Sequence, residues 1–156
     1  MKGITLKGSV LIFLLGIISI LTLSTCKKDE PKVNIVLYDK PLDVIKSYIQ
    51  GKWWLEKVTG GICTTCGAPV KNNPYMITTD DHIVLGNNTG VRVDTIIVWQ
   101  KIRYYYGYGN DSTYLLSYRA QKYYAFPINY IVDRIENNNL ILIDYASDPF
   151  SYYYIK

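Results

Sequence analysis

From Lys52 to the last residue, closely spaced turn signals divide the chain, and the segments between them alternate apolar with polar side chains. This pattern points to antiparallel β-structure, because a period of two sends successive side chains to opposite faces of a strand, whereas a helix needs a period near 3.6. Residues 52–59 (KWWLEKVT) set Trp53, Leu55 and Lys57 on one face and Trp54, Glu56 and Val58 on the other, and Gly60-Gly61 ends the run. Residues 74–79 and 82–85 flank Asp80-Asp81 as a hairpin, and Gly86-Asn87-Asn88-Thr89-Gly90 is a second dense turn. Residues 91–106 are too long for one flat strand, so a bend or break is expected near Asp94. Further strands are expected over 112–119, 123–133, 140–145 and 150–156, with Glu136-Asn137-Asn138-Asn139 as the last Asn-rich turn. Ahead of them, residues 41–50 form a short helix: Pro41 suits its first turn, Leu42, Ile45 and Ile49 share a face, and Gly51 suits its end. The expected fold is all-β, an antiparallel up-and-down barrel of about eight strands or a sandwich, with a short N-terminal helix.

The N-terminus follows a different pattern. Lys2 and Lys7 precede residues 10–23, an apolar run of 14 residues without charge, and Ser24, Thr25 and Cys26 follow. A basic region, a short apolar core and small residues are the three parts of a secretory signal. As a helix the run spans about 21 Å, less than a hydrocarbon core of about 30 Å. An uncleaved membrane anchor is the alternative. Leu23-Ser24-Thr25-Cys26 resembles the cleavage box of bacterial lipoproteins, with Thr25 bulkier than the usual Gly or Ala. The resemblance implies a signal peptide over 1–25 and lipid on Cys26. It implies a membrane partner reached through that lipid and a place in the bacterial outer membrane. Lys27-Lys28-Asp29-Glu30-Pro31-Lys32 reads as a solvated tether and also resembles surface-export signals of some Gram-negative lipoproteins, so periplasmic and surface-facing placements both stay open. The expected division is 1–25 signal, 26–40 lipidated cysteine and tether, and 41–156 barrel domain.

Composition narrows the class of partner. The chain has 156 residues, of which 49% are apolar and 19% charged, a globular balance. Its formal charge is +4, and without Lys2 and Lys7 there remain 15 basic against 13 acidic residues. Such near balance argues against nucleic acid, which needs clustered cations. Of 16 tyrosines, 13 lie between Tyr104 and Tyr154. Tyrosine suits sheet surfaces and sites that are apolar on one side and wet on the other.

The helix leading into Gly51-Lys52-Trp53 resembles the opening of lipocalin-like domains, where Gly-x-Trp begins the first strand. The resemblance implies that Gly51 and Trp53 plug one end of a barrel. Lipocalins also carry a late helix and an Arg stacked on the Trp, and neither stands near this C-terminus. Trp54, Trp99, Tyr104, Tyr106, Tyr108, Tyr152 and Tyr154 are the candidate binding surface.

Two motifs touch on chemistry. Cys63-Thr64-Thr65-Cys66 lies between Gly60-Gly61 and Gly67-Ala68-Pro69, so it is expected in a loop. With Cys26 lipidated, two thiols remain, and in an oxidising envelope a disulfide is the simplest outcome. Redox activity and a metal site are the alternatives, although only these two thiols and His82 offer ligands. Asp80-Asp81-His82 holds the single histidine and has no visible nucleophile or third ligand. No Gly-x-Ser-x-Gly, phosphate loop or dinucleotide fingerprint occurs. No catalytic residue, cofactor or metal site is assigned. The expected function is a non-enzymatic envelope lipoprotein whose barrel binds a small hydrophobic ligand or a partner, the protein partner being unknown. The alternative is a structural or interaction module whose barrel is filled by its own side chains.

Overall fold

A computed structural model describes residues 31–61, 63–103, 112–120 and 126–156, with the backbone alone for 63–69. The signal segment and Cys26 lie outside the described residues, as do Tyr104, Tyr106 and Tyr108. Lys32–Lys156 forms one compact unit.

Helix α1 (Leu42–Ile49) begins behind Pro41 and buries Ile45 and Ile49, the apolar face expected from their spacing. Gly51 then takes φ +106°, a conformation that suits glycine, and turns the chain into the sheet. Nine strands form one curled sheet: β2 (Gly51–Gly60), β4 (Tyr75–Thr78), β5 (His82–Asn87), β6 (Gly90–Ile96), β7 (Val98–Arg103), β8 (Ser112–Tyr118), β9 (Ile128–Glu136), β10 (Asn139–Asp144) and β11 (Phe150–Ile155). Their order is β6-β5-β4-β2-β11-β10-β9-β8-β7. Two more strands lie off this path: β1 (Ile35–Val36) pairs with β9, and β3 (Cys63–Pro69) pairs with β2.

The two outermost strands of this order, β6 and β7, are consecutive in the chain and separated only by Ile97. Every step between neighbours is antiparallel. From β2, three steps reach β6 one way round and five reach β7 the other way, so the two run in the same sense. They are halves of one bent strand, the first paired with β5 and the second with β8. Counted as one, they complete an up-and-down order of eight strands. The fold is all-β and barrel-like, as the turn spacing and alternation lead one to expect.

Local departures from that expectation have definite causes. The long run bends at Ile97, three residues beyond Asp94, because Ile97 N–H donates to the Asp81 carbonyl and its side chain is buried there. In β2 the alternation breaks at Glu56. Tyr153 faces Lys57 while Tyr154 faces Leu55, which leaves Glu56 as an extra residue on β2. The bulge moves Lys57 to the outer face, where its ammonium stands 5.2 Å from the Tyr153 ring, and sets Val58 opposite the inward Tyr152. Residues 33–40, expected to be linker, contribute to the domain: Ile35 and Val36 pair with β9, and Leu37 is fully buried. This segment is clasped at the β9–β10 turn. Val33 N–H donates to Asn138 Oδ1 (2.6 Å), Asn138 N–H to the Val33 carbonyl (3.2 Å), and Asn137 N–H to Asn34 Oδ1 (2.8 Å).

Inside the sheet, Trp53, Met76, Ile83, Leu116, Val132, Leu140, Leu142 and Tyr154 form a single core with Ile45 and Ile49 of α1. A second, smaller cluster lies on the outer face, where Leu115 and Ile131 are packed by Tyr38, Ile102 and Ile143.

Candidate functional site

The two ends of the barrel are built differently. At the end where β2 begins, α1 closes the sheet. Trp53 is 1% exposed, and its indole N–H donates to the Ile49 carbonyl at the last turn of α1 (2.7 Å). The buried Thr78 hydroxyl donates to the same carbonyl. One carbonyl that the helix leaves unpaired therefore takes two side-chain donors, which ties β2 and β4 to the helix end. Trp53 lies buried at this end of the barrel, behind the turn that Gly51 makes at φ +106°. Lys156, the last residue, holds its ammonium 4.8 Å from the Trp53 ring centroid. Around Trp53 the packing is dry: Met76 is 1% exposed, and Ile83, Leu116, Leu140 and Leu142 are at 0%. Side chains with no accessible surface leave no water-sized space beside them.

Toward the other end the inward side chains become phenols. Tyr130 stacks edge-on with Tyr152 (ring centroids 5.1 Å) and lies 6.2 Å from Tyr118. The Tyr152 hydroxyl donates to Asp144 Oδ2 at 3.1 Å. Burial raises the Tyr130 hydroxyl far above the ordinary tyrosine range, and Tyr118, Tyr154 and Tyr152 add to the effect. Burial likewise raises Tyr152 and Tyr154, and the Asp144 carboxylate beside Tyr152 pushes it further. The Asp144 carboxyl is itself raised by burial, against the lowering effect of its hydrogen bonds from Tyr152 and the Phe150 backbone. Phenols held so firmly protonated donate hydrogen bonds and do not act as bases near neutral pH.

The structure thus separates the expected aromatic surface. Tyr154 is 6% exposed inside the core, and Tyr152 faces inward beside Tyr130, so neither belongs to an outer face. Trp54 points outward, edge-on to Tyr75 at 5.5 Å, with the Lys52 ammonium 4.1 Å from its ring and 4.5 Å from that of Tyr75. Trp99 packs partly against the core and its indole reaches the Asp80 carbonyl at 3.3 Å. The three described tyrosine and tryptophan groups therefore have separate surroundings.

Asp80 and Asp81 bracket the helix, and His82 pairs with β6. Lys46 Nζ meets Asp81 Oδ1 at 2.6 Å, and the Gln50 amide donates to Asp80 Oδ1 at 2.5 Å. His82 Nε2 lies 2.9 Å from Asp94 Oδ1 on the exposed surface. Each of the three side chains is thus engaged by the scaffold. The backbone of Cys63–Pro69 is a strand paired with β2, not a loop, because Gly60 at φ +116° and Gly61 at φ +71° fold the chain straight back. The ladder is irregular, with residues 64–67 opposite Thr59 alone. The Cys63 and Cys66 side chains lie outside the described portions, and their pairing remains an expectation. Among the described residues, no group of three or more His, Cys, Asp or Glu side chains is placed to hold a metal ion.

No protein-family model, curated protein or solved structure matches the chain.

One feature of the surface was not legible beforehand. At the Ile97 bend, on the outer face, a cleft of about 510 Å³ is lined by Thr95, Ile96, Val98, Gln100, Ser117, Tyr118, Arg119, Pro127 and Asn129. Its floor is a cross-strand row, Val98 opposite Ser117 opposite Asn129. Residues directly opposite share a face, so the row follows from the register of β7, β8 and β9. Those residues lie far apart in the chain, and only strand pairing assembles them.

Proposed function

We propose that this chain is a non-enzymatic, lipid-anchored module of the bacterial cell envelope, held in the outer membrane through Cys26. It binds through its outer surface and does not enclose a ligand. Dry packing around Trp53 carries the second half of this reading: Leu116, Leu140 and Leu142 have no accessible surface, and a ligand in that half of the barrel would have to displace them. The filled-barrel reading is thereby favoured over the carrier of a small hydrophobic molecule. The anchor rests on Leu23-Ser24-Thr25-Cys26 after an apolar run. Two acyl chains hold a protein stably at a bilayer where one is marginal.

Two experiments test the reading. Cells expressing the chain and fed radiolabelled palmitate should label it, and Cys26→Ala should lose the label; equal labelling of both would remove the anchor. Crystals of the protein pressurised with xenon should show no atom between Trp53 and Leu142, whereas Leu142→Ala should hold one. A xenon atom there in the wild type would restore the carrier.

A further inference from the structure

The cleft at the Ile97 bend combines three properties that belong together in a ligand site. One wall is apolar: Ile96 is 66% exposed and Val98 62%, with Pro127 beside them. Surface of that kind on a strand bend has no packing role, and it gains free energy when an apolar group covers it. The rest of the lining is rich in hydrogen-bond donors. The Ser117 hydroxyl pairs with Asn129 Oδ1 at 2.6 Å, which commits that oxygen and leaves the amide N–H groups of Asn129 as donors at the floor. Gln100 adds a further amide. The third property is charge. Among the described residues that line the cleft, Arg119 is the one charged side chain and none is acidic. Among the described residues none forms an ion pair with Arg119, whereas Lys46 and Arg134 are both paired.

An exposed guanidinium with amide donors nearby and an adjoining apolar wall matches one ligand chemistry: a short apolar body ending in a carboxylate. The guanidinium presents a planar fork that fits a carboxylate through two parallel hydrogen bonds. The volume lies within the range of small-molecule sites, roughly 300–1,000 Å³. We propose that this cleft is a binding site for an amphipathic carboxylate, with Arg119 receiving the anion and Ile96, Val98 and Pro127 receiving the apolar body. The proposal rests on the reading that binding is external to the barrel. It can fail by itself, since the xenon experiment tests the interior without reference to the cleft.

The test is equilibrium dialysis of radiolabelled octanoate against the full chain in phospholipid nanodiscs, with empty nanodiscs as the blank. Saturable one-to-one binding is expected. Arg119→Gln should weaken octanoate about tenfold or more, the low end for loss of a hydrogen-bonded ion pair, and should leave octanol binding within about twofold. The Arg119 side chain is exposed, so the substitution leaves the core intact. Val98→Asp, also at an exposed position, supplies a second and independent test: octanoate binding should be lost and octylammonium binding gained. No saturable binding of octanoate, equal affinities in wild type and Arg119→Gln, or octylammonium bound by the wild type as tightly as octanoate would each overturn the proposal.

Discussion

The two ends of this barrel are built from opposite kinds of side chain. At the helix end, one helical carbonyl gathers the Trp53 indole and the Thr78 hydroxyl, and a dry hydrocarbon core follows. Farther along, the inward positions are Tyr118, Tyr130 and Tyr152 with Asp144, a set of polar groups that must satisfy one another. The first arrangement fixes the shape by area buried, and its polar atoms are few and paired. The second spends burial on hydroxyls and a carboxyl, which stabilise the fold only while their hydrogen bonds are made. The helix end is accordingly the structural half. The polar groups gather among the tyrosines, and the outer cleft at the Ile97 bend adjoins both regions, the tyrosines through Tyr118 and the helix bracket through Asp81.

Substitutions at each end can break or sharpen this contrast. Trp53→Ala should have the largest effect, a loss of about 3–5 kcal/mol in denaturant unfolding, because a buried ring and its hydrogen bond disappear together. Tyr130→Phe should cost only about 1 kcal/mol, the net worth of a typical buried hydroxyl contact. Comparable losses for the two would dissolve the distinction. Asp144→Asn should act through pH. The folded carboxyl titrates above its ordinary value of 3.8, so the folded state holds the proton more tightly than the unfolded chain. Wild-type stability should then fall as pH rises from about 4 through the raised folded value, and level off beyond it. The substituted amide keeps an acceptor for Tyr152, and the variant should lose the Asp144 share of that decline, the buried Asp133 carboxyl keeping its own, so its stability relative to wild type rises over the same window. A wild-type curve that rises through that window, with Asp144→Asn making no difference, would contradict the burial of this group. Smallest of all, Lys156→Gln should cost about 0.5–1 kcal/mol through the lost cation–π contact. It should also change the Trp53 fluorescence, which a remote surface lysine would not do.

How much of this was readable beforehand differs by scale. Alternation in β2, β8 and β11 and the Asn-rich turns are local signals, and the strands they mark form where expected. Ile45 and Ile49 likewise revealed the buried face of α1. What local pattern cannot carry is a choice between partners. The bend at Ile97 falls where a strand leaves β5 for β8, and Asp81, 16 positions earlier, fixes the spot by accepting its N–H. The bulge at Glu56 exists only relative to β11, so the predicted faces of Lys57 and Val58 exchange once the two strands pair. Strand β3 was hidden because Cys63-Thr64-Thr65-Cys66 between glycines carries turn chemistry, and only its ladder with β2 makes it a strand. Arg119 gave no signal at all: a lone arginine after a strand acquires meaning from Val98 and Asn129, which other strands bring beside it.

The clasp of residues 33–38 has a mechanical consequence. A pull on the chain ahead of Val33 enters the domain along β1, whose two residues lie antiparallel to Ile135 and Arg134 of β9. Hydrogen bonds of such a ladder stand perpendicular to the strands, so tension along β1 loads them together in shear instead of opening them one at a time. Leu37, sunk in the core immediately behind, acts as a barb against withdrawal.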